Sequence, residues 1–108
     1  MSSQTNDIER WKSFVEQDGS NELARFKLAQ CYAAAGMAAP AVEQYEACVK
    51  LKPDWMVAFI ELGQLREKLG DRAGAKAALQ TALALAIAQR HSGPQGELEA
   101  AIAALSPG

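Results

Sequence analysis

A single histidine, two cysteines and a scatter of carboxylates are the side chains of this 108-residue sequence that could carry covalent, acid–base or metal chemistry. His91 stands alone, whereas a metal site needs several convergent ligands, and neither a second histidine nor a matched cysteine pair supplies them. Cys31 and Cys48 fall on apolar positions without Cys-x-x-Cys spacing, which reads as buried reduced thiols rather than a redox pair. Attack by either thiol would require an adjacent base and an exposed thiolate, and the pattern provides neither. Glycines punctuate the apolar-periodic segments instead of forming a phosphate-cradling loop. No cluster of histidines, cysteines or paired carboxylates can be named. The expectation is therefore no catalytic residue, no metal, no cofactor and no enzymatic activity. His91, close to an expected helix end, is read as a cation favoured by the helix dipole.

Bulk properties narrow the partners. Ala, Leu, Glu, Gln and Lys dominate, so helix is favoured nearly throughout. The net charge is −2 and the pI about 5.4; without clustered Lys and Arg to meet a phosphate backbone, no nucleic acid is expected as a partner. The longest unbroken apolar run, Ala82 to Ala88, falls far short of the roughly 18 to 20 residues of a membrane span, so no membrane partner is expected. Met1 to Asp7 is polar and lacks the basic start and apolar stretch of an export signal, which implies a cytoplasmic location. The length suits one domain with a shared core.

The elements that position these side chains follow from a repeat. Glu22–Trp55 is followed by Met56–Gln89, which copies its pattern at a shift of 34 residues. Seven pairs are identical under that shift: Ala24/Ala58, Leu28/Leu62, Gln30/Gln64, Gly36/Gly70, Ala39/Ala73, Ala41/Ala75 and Leu51/Leu85. Small residues at Ala29/Gly63, Ala41/Ala75 and Cys48/Ala82 let two helices approach closely, while Leu28/Leu62, Tyr45/Leu79 and Leu51/Leu85 are expected to fill the gaps between hairpins.

Six helices joined by short turns are predicted. Ile8, Trp11, Phe14 and Val15 mark one face of a helix over residues 7–18, ended by Gly19. Ser20 or Asn21 caps the next, which stops at a left-handed Gly36. Pro40 sits harmlessly in the first turn of the third helix, and Pro53 ends it. Asp54 is expected to cap a fourth helix from about Trp55 to Leu69, and Asp71 a fifth from about Arg72. Because Ile87 replaces the proline of the first copy, the fifth helix should continue to Arg90 or His91. Ser92, Gly93, Pro94 and Gly96 read as a break before a closing helix, residues 95–105, with Leu98, Ala101, Ile102 and Leu105 on one face. Connections this short force antiparallel neighbours.

Leu28, Ala29, Tyr32, Gly36, Ala41, Tyr45, Cys48 and Pro53 at these separations make residues 22–55 resemble a tetratricopeptide repeat. Residues 56–89 resemble it through Phe59, Leu62, Gly63, Gly70, Ala75, Leu79 and Ala82. Arg25 and Arg66 replace the usual aromatics, and the terminal proline of the second copy is absent. Residues 7–19 resemble the second half of a repeat, with Trp11, Phe14 and Val15 on the Tyr45, Cys48 and Val49 positions. A bulky Phe14 there suits an end cap, or an apolar face awaiting a partner chain. The resemblance implies an all-α fold of antiparallel hairpins stacked as a short right-handed superhelix, with residues 95–105 capping it.

The resemblance also implies a surface. In that family the first helices of successive repeats line a concave groove, which assigns Leu23, Phe26, Lys27, Gln30, Ala33 and Ala34, then Val57, Ile60, Glu61, Gln64, Glu67 and Lys68 to it. Of these, Phe26, Lys27, Gln30, Ala34, Val57, Ile60, Glu61, Gln64 and Lys68 are the candidate partner-binding residues. Some members clamp the carboxylate of a partner's C-terminal tail with Lys and Asn; Phe26, Gln30 and Glu61 stand at the corresponding positions, so that clamp is not made. The expected partner is a protein, through an apolar or mixed peptide or an amphipathic helix laid in the groove. The alternative is a homo-oligomer formed through an exposed end or the groove. The closing helix either caps the stack or occupies the groove itself.

Overall fold

The computed structural model describes residues 3–106; Met1–Ser2 and Pro107–Gly108, the ends of the expected single domain, lie outside the described residues. Among the described residues there are six α-helices and no strand. Two compact units divide the chain, residues 1–53 and 54–108.

The first unit contains α1 (Ser3–Gln17), α2 (Glu22–Ala34) and α3 (Ala38–Leu51), with α2 packed on both others. α1 opens earlier than residue 7, and apolar periodicity does not mark that start because Ser3–Asn6 carry no apolar side chain. Asn21 is the cap of α2: its Oδ1 accepts from the Ala24 N–H at 3.0 Å, satisfying one orphan donor of the first turn. Ser20 instead donates its N–H and hydroxyl to Asp18 Oδ1, at 3.0 and 2.6 Å. Gly36 takes a φ of +78°, which lets the Met37 N–H reach the Tyr32 carbonyl at 2.8 Å and close the helix end. The chain then returns after three residues, so α2 and α3 form an antiparallel pair.

That pair closes on small residues. Ala29, Ala41 and Cys48 are fully buried, and the Cys48 thiol donates to the Glu22 carbonyl at 3.6 Å. The Phe26 and Tyr45 rings meet edge-on at 5.8 Å. Leu51, expected to fill a gap, is the last residue of α3 and is 41% exposed.

In the second unit α5 (Arg72–Ala88) packs on both α4 (Met56–Lys68) and α6 (Ser92–Leu105). Its core is Ala75, Leu79, Ala82, Ala86, Leu98 and Leu105, with Phe59 and Ile102 against it. Gly63 marks the tightest approach: a Cβ there would lie 2.8 Å from two carbons of the Leu79 side chain and 3.2 Å from the Ala75 carbonyl. Asp71 caps α5 as expected, accepting from the Gly74 N–H at 2.9 Å. Asp54 does not cap α4. The helix opens one residue later than expected, at Met56, so Trp55 takes the N-cap position, with no side-chain cap hydrogen bond, and the Asp54 carbonyl accepts from Gln89 Nε2 at 3.1 Å.

The last two helices depart from expectation together. α5 runs past the point where Pro53 stops α3 but ends at Ala88, short of Arg90. Arg90 adopts a φ of +60°, and the His91 N–H closes onto the Ala86 carbonyl at 2.8 Å; Arg90 thereby does what Gly36 and Gly70 do after α2 and α4. His91 is the N-cap of α6 without a side-chain cap bond, so it stands between two helix ends rather than at one C-terminus. Ser92–Gly96 is not a break. It forms the first turn of α6, where Pro94 sacrifices no helical hydrogen bond. At the other end, Arg72 Nη2 donates to the Ala104 and Leu105 carbonyls at 3.4 and 3.2 Å, answering orphan acceptors.

Candidate partner-binding surface

Spacing of three and four residues puts Lys27, Gln30 and Ala34 on one face of α2. Lys27 and Ala34 are exposed and Gln30 half-buried. Phe26 is different. Only 8% of it is exposed, because its ring is sealed edge-on by Tyr45, so it is a core residue of the first unit.

The corresponding face of α4 is more open. Val57, Gln64 and Lys68 are exposed, and Ile60 and Glu61 half-buried. Here the structure brings Ile60 and Gln64 together with Glu67 in a pocket of about 190 Å³. Leu79 of α5 contributes to it, and Pro94, Glu97, Leu98 and Ala101 of α6 line the opposite side. α6 thus walls the α4 face within this unit without filling it. Of the four α6 residues, Leu98 and Ala101 lie on the face that the periodicity predicts, Glu97 carries no apolar mark, and Pro94 falls in the expected break over residues 92–96; the tolerance of a first helical turn for proline is the signal that places Pro94 on the helix.

The remaining chemistry is quiet. Cys31 is half-buried and Cys48 buried. Burial pushes the Cys31 thiol above its ordinary range, Asp7 adds to that, and Lys27 and Arg10 oppose it, so Cys31 is biased against the thiolate. Among the described residues no three His, Cys, Asp or Glu gather where a metal could be held, and no helix is long and apolar enough to cross a membrane.

Antiparallel helix pairs repeated at a 34-residue interval define an all-α helical-repeat protein. The tetratricopeptide-repeat pattern matches residues 23–54 and again residues 58–86. The TPR repeat-containing protein PA0015 of Pseudomonas aeruginosa is 35% identical over 92 residues, which span 85% of this chain and 86% of that one. The chain belongs to the tetratricopeptide-repeat family. Among solved structures, the type III secretion translocator chaperone SycD of Yersinia enterocolitica has a TM-score of 0.87 at 14% identity, over 94% of this chain and 71% of its own. PcrH of Pseudomonas aeruginosa, in complex with the chaperone-binding region of PopD, has a TM-score of 0.86 at 19% identity, over 94% and 77%. At such identities the likeness is one of fold.

Proposed function

We propose that the protein is a non-enzymatic interaction module, an adaptor or scaffold, that binds a peptide or helix of a partner protein on the exposed faces of its first-helix elements. The observation that carries this reading is the open α4 face, where Val57, Ile60, Glu61, Gln64 and Lys68 run in one stripe and part of that stripe lines a pocket. Lys27, Gln30 and Ala34 on α2 offer a similar strip. Alternating apolar and polar side chains of this kind suit a peptide, whose apolar side chains find pockets while its amides stay hydrated. The PopD complex of PcrH supports the reading by fold analogy.

Substituting Val57→Glu and Gln64→Ala together tests it, since both side chains are exposed and the helices should persist by circular dichroism. Partner recovery from the native host should fall sharply. Recovery equal to that of the unaltered protein removes the α4 face from consideration.

A second reading, self-association, rests on Phe14, which is 43% exposed beside Trp11 at a ring separation of 5.5 Å. Light scattering decides it: a monomer mass independent of concentration rejects association.

A further inference from the structure

The geometry points to a receptor for one basic side chain, a lysine or arginine of a partner peptide, in the pocket between α4 and α6. This rests on the reading of α4 as a docking face and names the chemistry of what docks. At about 190 Å³ the pocket is smaller than the roughly 300–1,000 Å³ of a small-molecule site, a size suited to one long side chain. Its apolar part, Ile60, Leu79 and Leu98, can receive a methylene stem. Glu67 reaches it from α4 and Glu97 from α6, both exposed, and the side chain of neither is hydrogen-bonded or ion-paired to a described residue.

No lysine or arginine lines the pocket. The cations of this unit that the structure shows bonded are turned to other tasks: Arg66 Nη1 donates to the Gly74 carbonyl at 3.2 Å, and Arg72 holds the end of α6. Lys68 follows Glu67 on α4, about 100° further round the helix. A carboxylate in the pocket would meet two like charges, and a wholly apolar side chain would fill the apolar part while gaining nothing from the two hydrated carboxylates at the rim. A stem with a cationic tip buries apolar surface and pairs the rim. The preference is thus opposite in sign to a clamp for acidic tails, and the net charge of −2 favours encounter with a basic segment.

The test uses the whole protein and three fluorescent decapeptides of serine and leucine with a central arginine, norleucine or glutamate. Fluorescence anisotropy should rank arginine over norleucine over glutamate, the arginine advantage shrinking as salt rises. Amide shifts of Gln64, Glu67, Glu97 and Ala101 should move. E67Q/E97Q, whose sites are exposed, should stay folded and weaken the arginine peptide by roughly fivefold or more while leaving norleucine unchanged. Equal affinity for arginine and norleucine, with the α4 amides still shifting, overturns the inference and leaves the docking face standing. An arginine preference that survives E67Q/E97Q does the same. If no peptide moves any α4 amide, both fail.

Discussion

The two repeat hairpins place different residues on the same scaffold, and the fate of one position separates them. In the first unit Phe26 meets Tyr45 edge-on and is removed from solvent. In the second, Ile60 and Leu79 hold the equivalent positions, Ile60 stays half-buried, and a pocket remains beside them. Whether a first-helix position belongs to the core or to the surface is therefore set by the side chain that the second helix sends across. Two aromatic rings seal the space, whereas two aliphatic chains leave room beside α6.

The largest effect follows directly. Phe26→Ala should cost about 3–5 kcal/mol, the range for truncating a buried aromatic, and Ile60→Ala less than about 2 kcal/mol, because Ile60 is only half-buried. Urea denaturation measures both, and equal losses would break the contrast. Phe26 consequently makes a poor probe of binding.

Next comes the closest approach in each hairpin. Gly63→Ala must displace Leu79 and should destabilise by about 1–3 kcal/mol despite the better helix propensity of alanine. Ala29 already carries that methyl group in the first unit, buried without exposure. A stabilised Gly63→Ala protein would mean that Leu79 yields easily and that the hairpins differ less than their packing implies.

Much of this was legible from the period of 34. It located α2 to α5 and the paired Gly36 and Gly70, while local cap chemistry marked Asp71 and offered Asn21 beside Ser20. The α4 stripe was legible as a helical face. The pocket was not, because it depends on α6, which opens at Ser92, 36 positions after Met56 opens α4, whereas α4 opens 34 positions after Glu22 opens α2. That offset arises where Arg90, an unmarked residue, adopts a glycine's conformation. The resemblance assigns Phe26 to the partner-binding surface, and a family pattern does not tell how far a ring from the neighbouring helix reaches.

Arg90 supplies a smaller test. An L-residue in the left-handed region costs roughly 1–2 kcal/mol, so Arg90→Gly should raise stability by up to about 1 kcal/mol after the added entropy of glycine in the unfolded chain. The thermal midpoint reads this. An unchanged or lowered midpoint would mean that the arginine side chain contributes what its backbone loses.

The smallest effect belongs to the turn between α1 and α2. Hydrogen bonds from the Ser20 hydroxyl and N–H hold the exposed Asp18 carboxyl below its ordinary value of 3.8. A carboxyl lowered on folding stabilises above its unfolded value, and that contribution disappears as pH falls through the folded one. Ser20→Ala should therefore lower the thermal midpoint slightly near neutral pH and not at all in strong acid. The same small loss at both extremes would remove the charge from the explanation.

Leu79 touches Gly63 on one side and the pocket on the other. Hairpin spacing and the depth available to a visiting side chain are for that reason a single variable. A paired library at positions 63 and 79 would yield receptors graded in depth, from a shallow dent to a slot for a bulkier guest, each change of selectivity accompanied by a measurable change in melting behaviour.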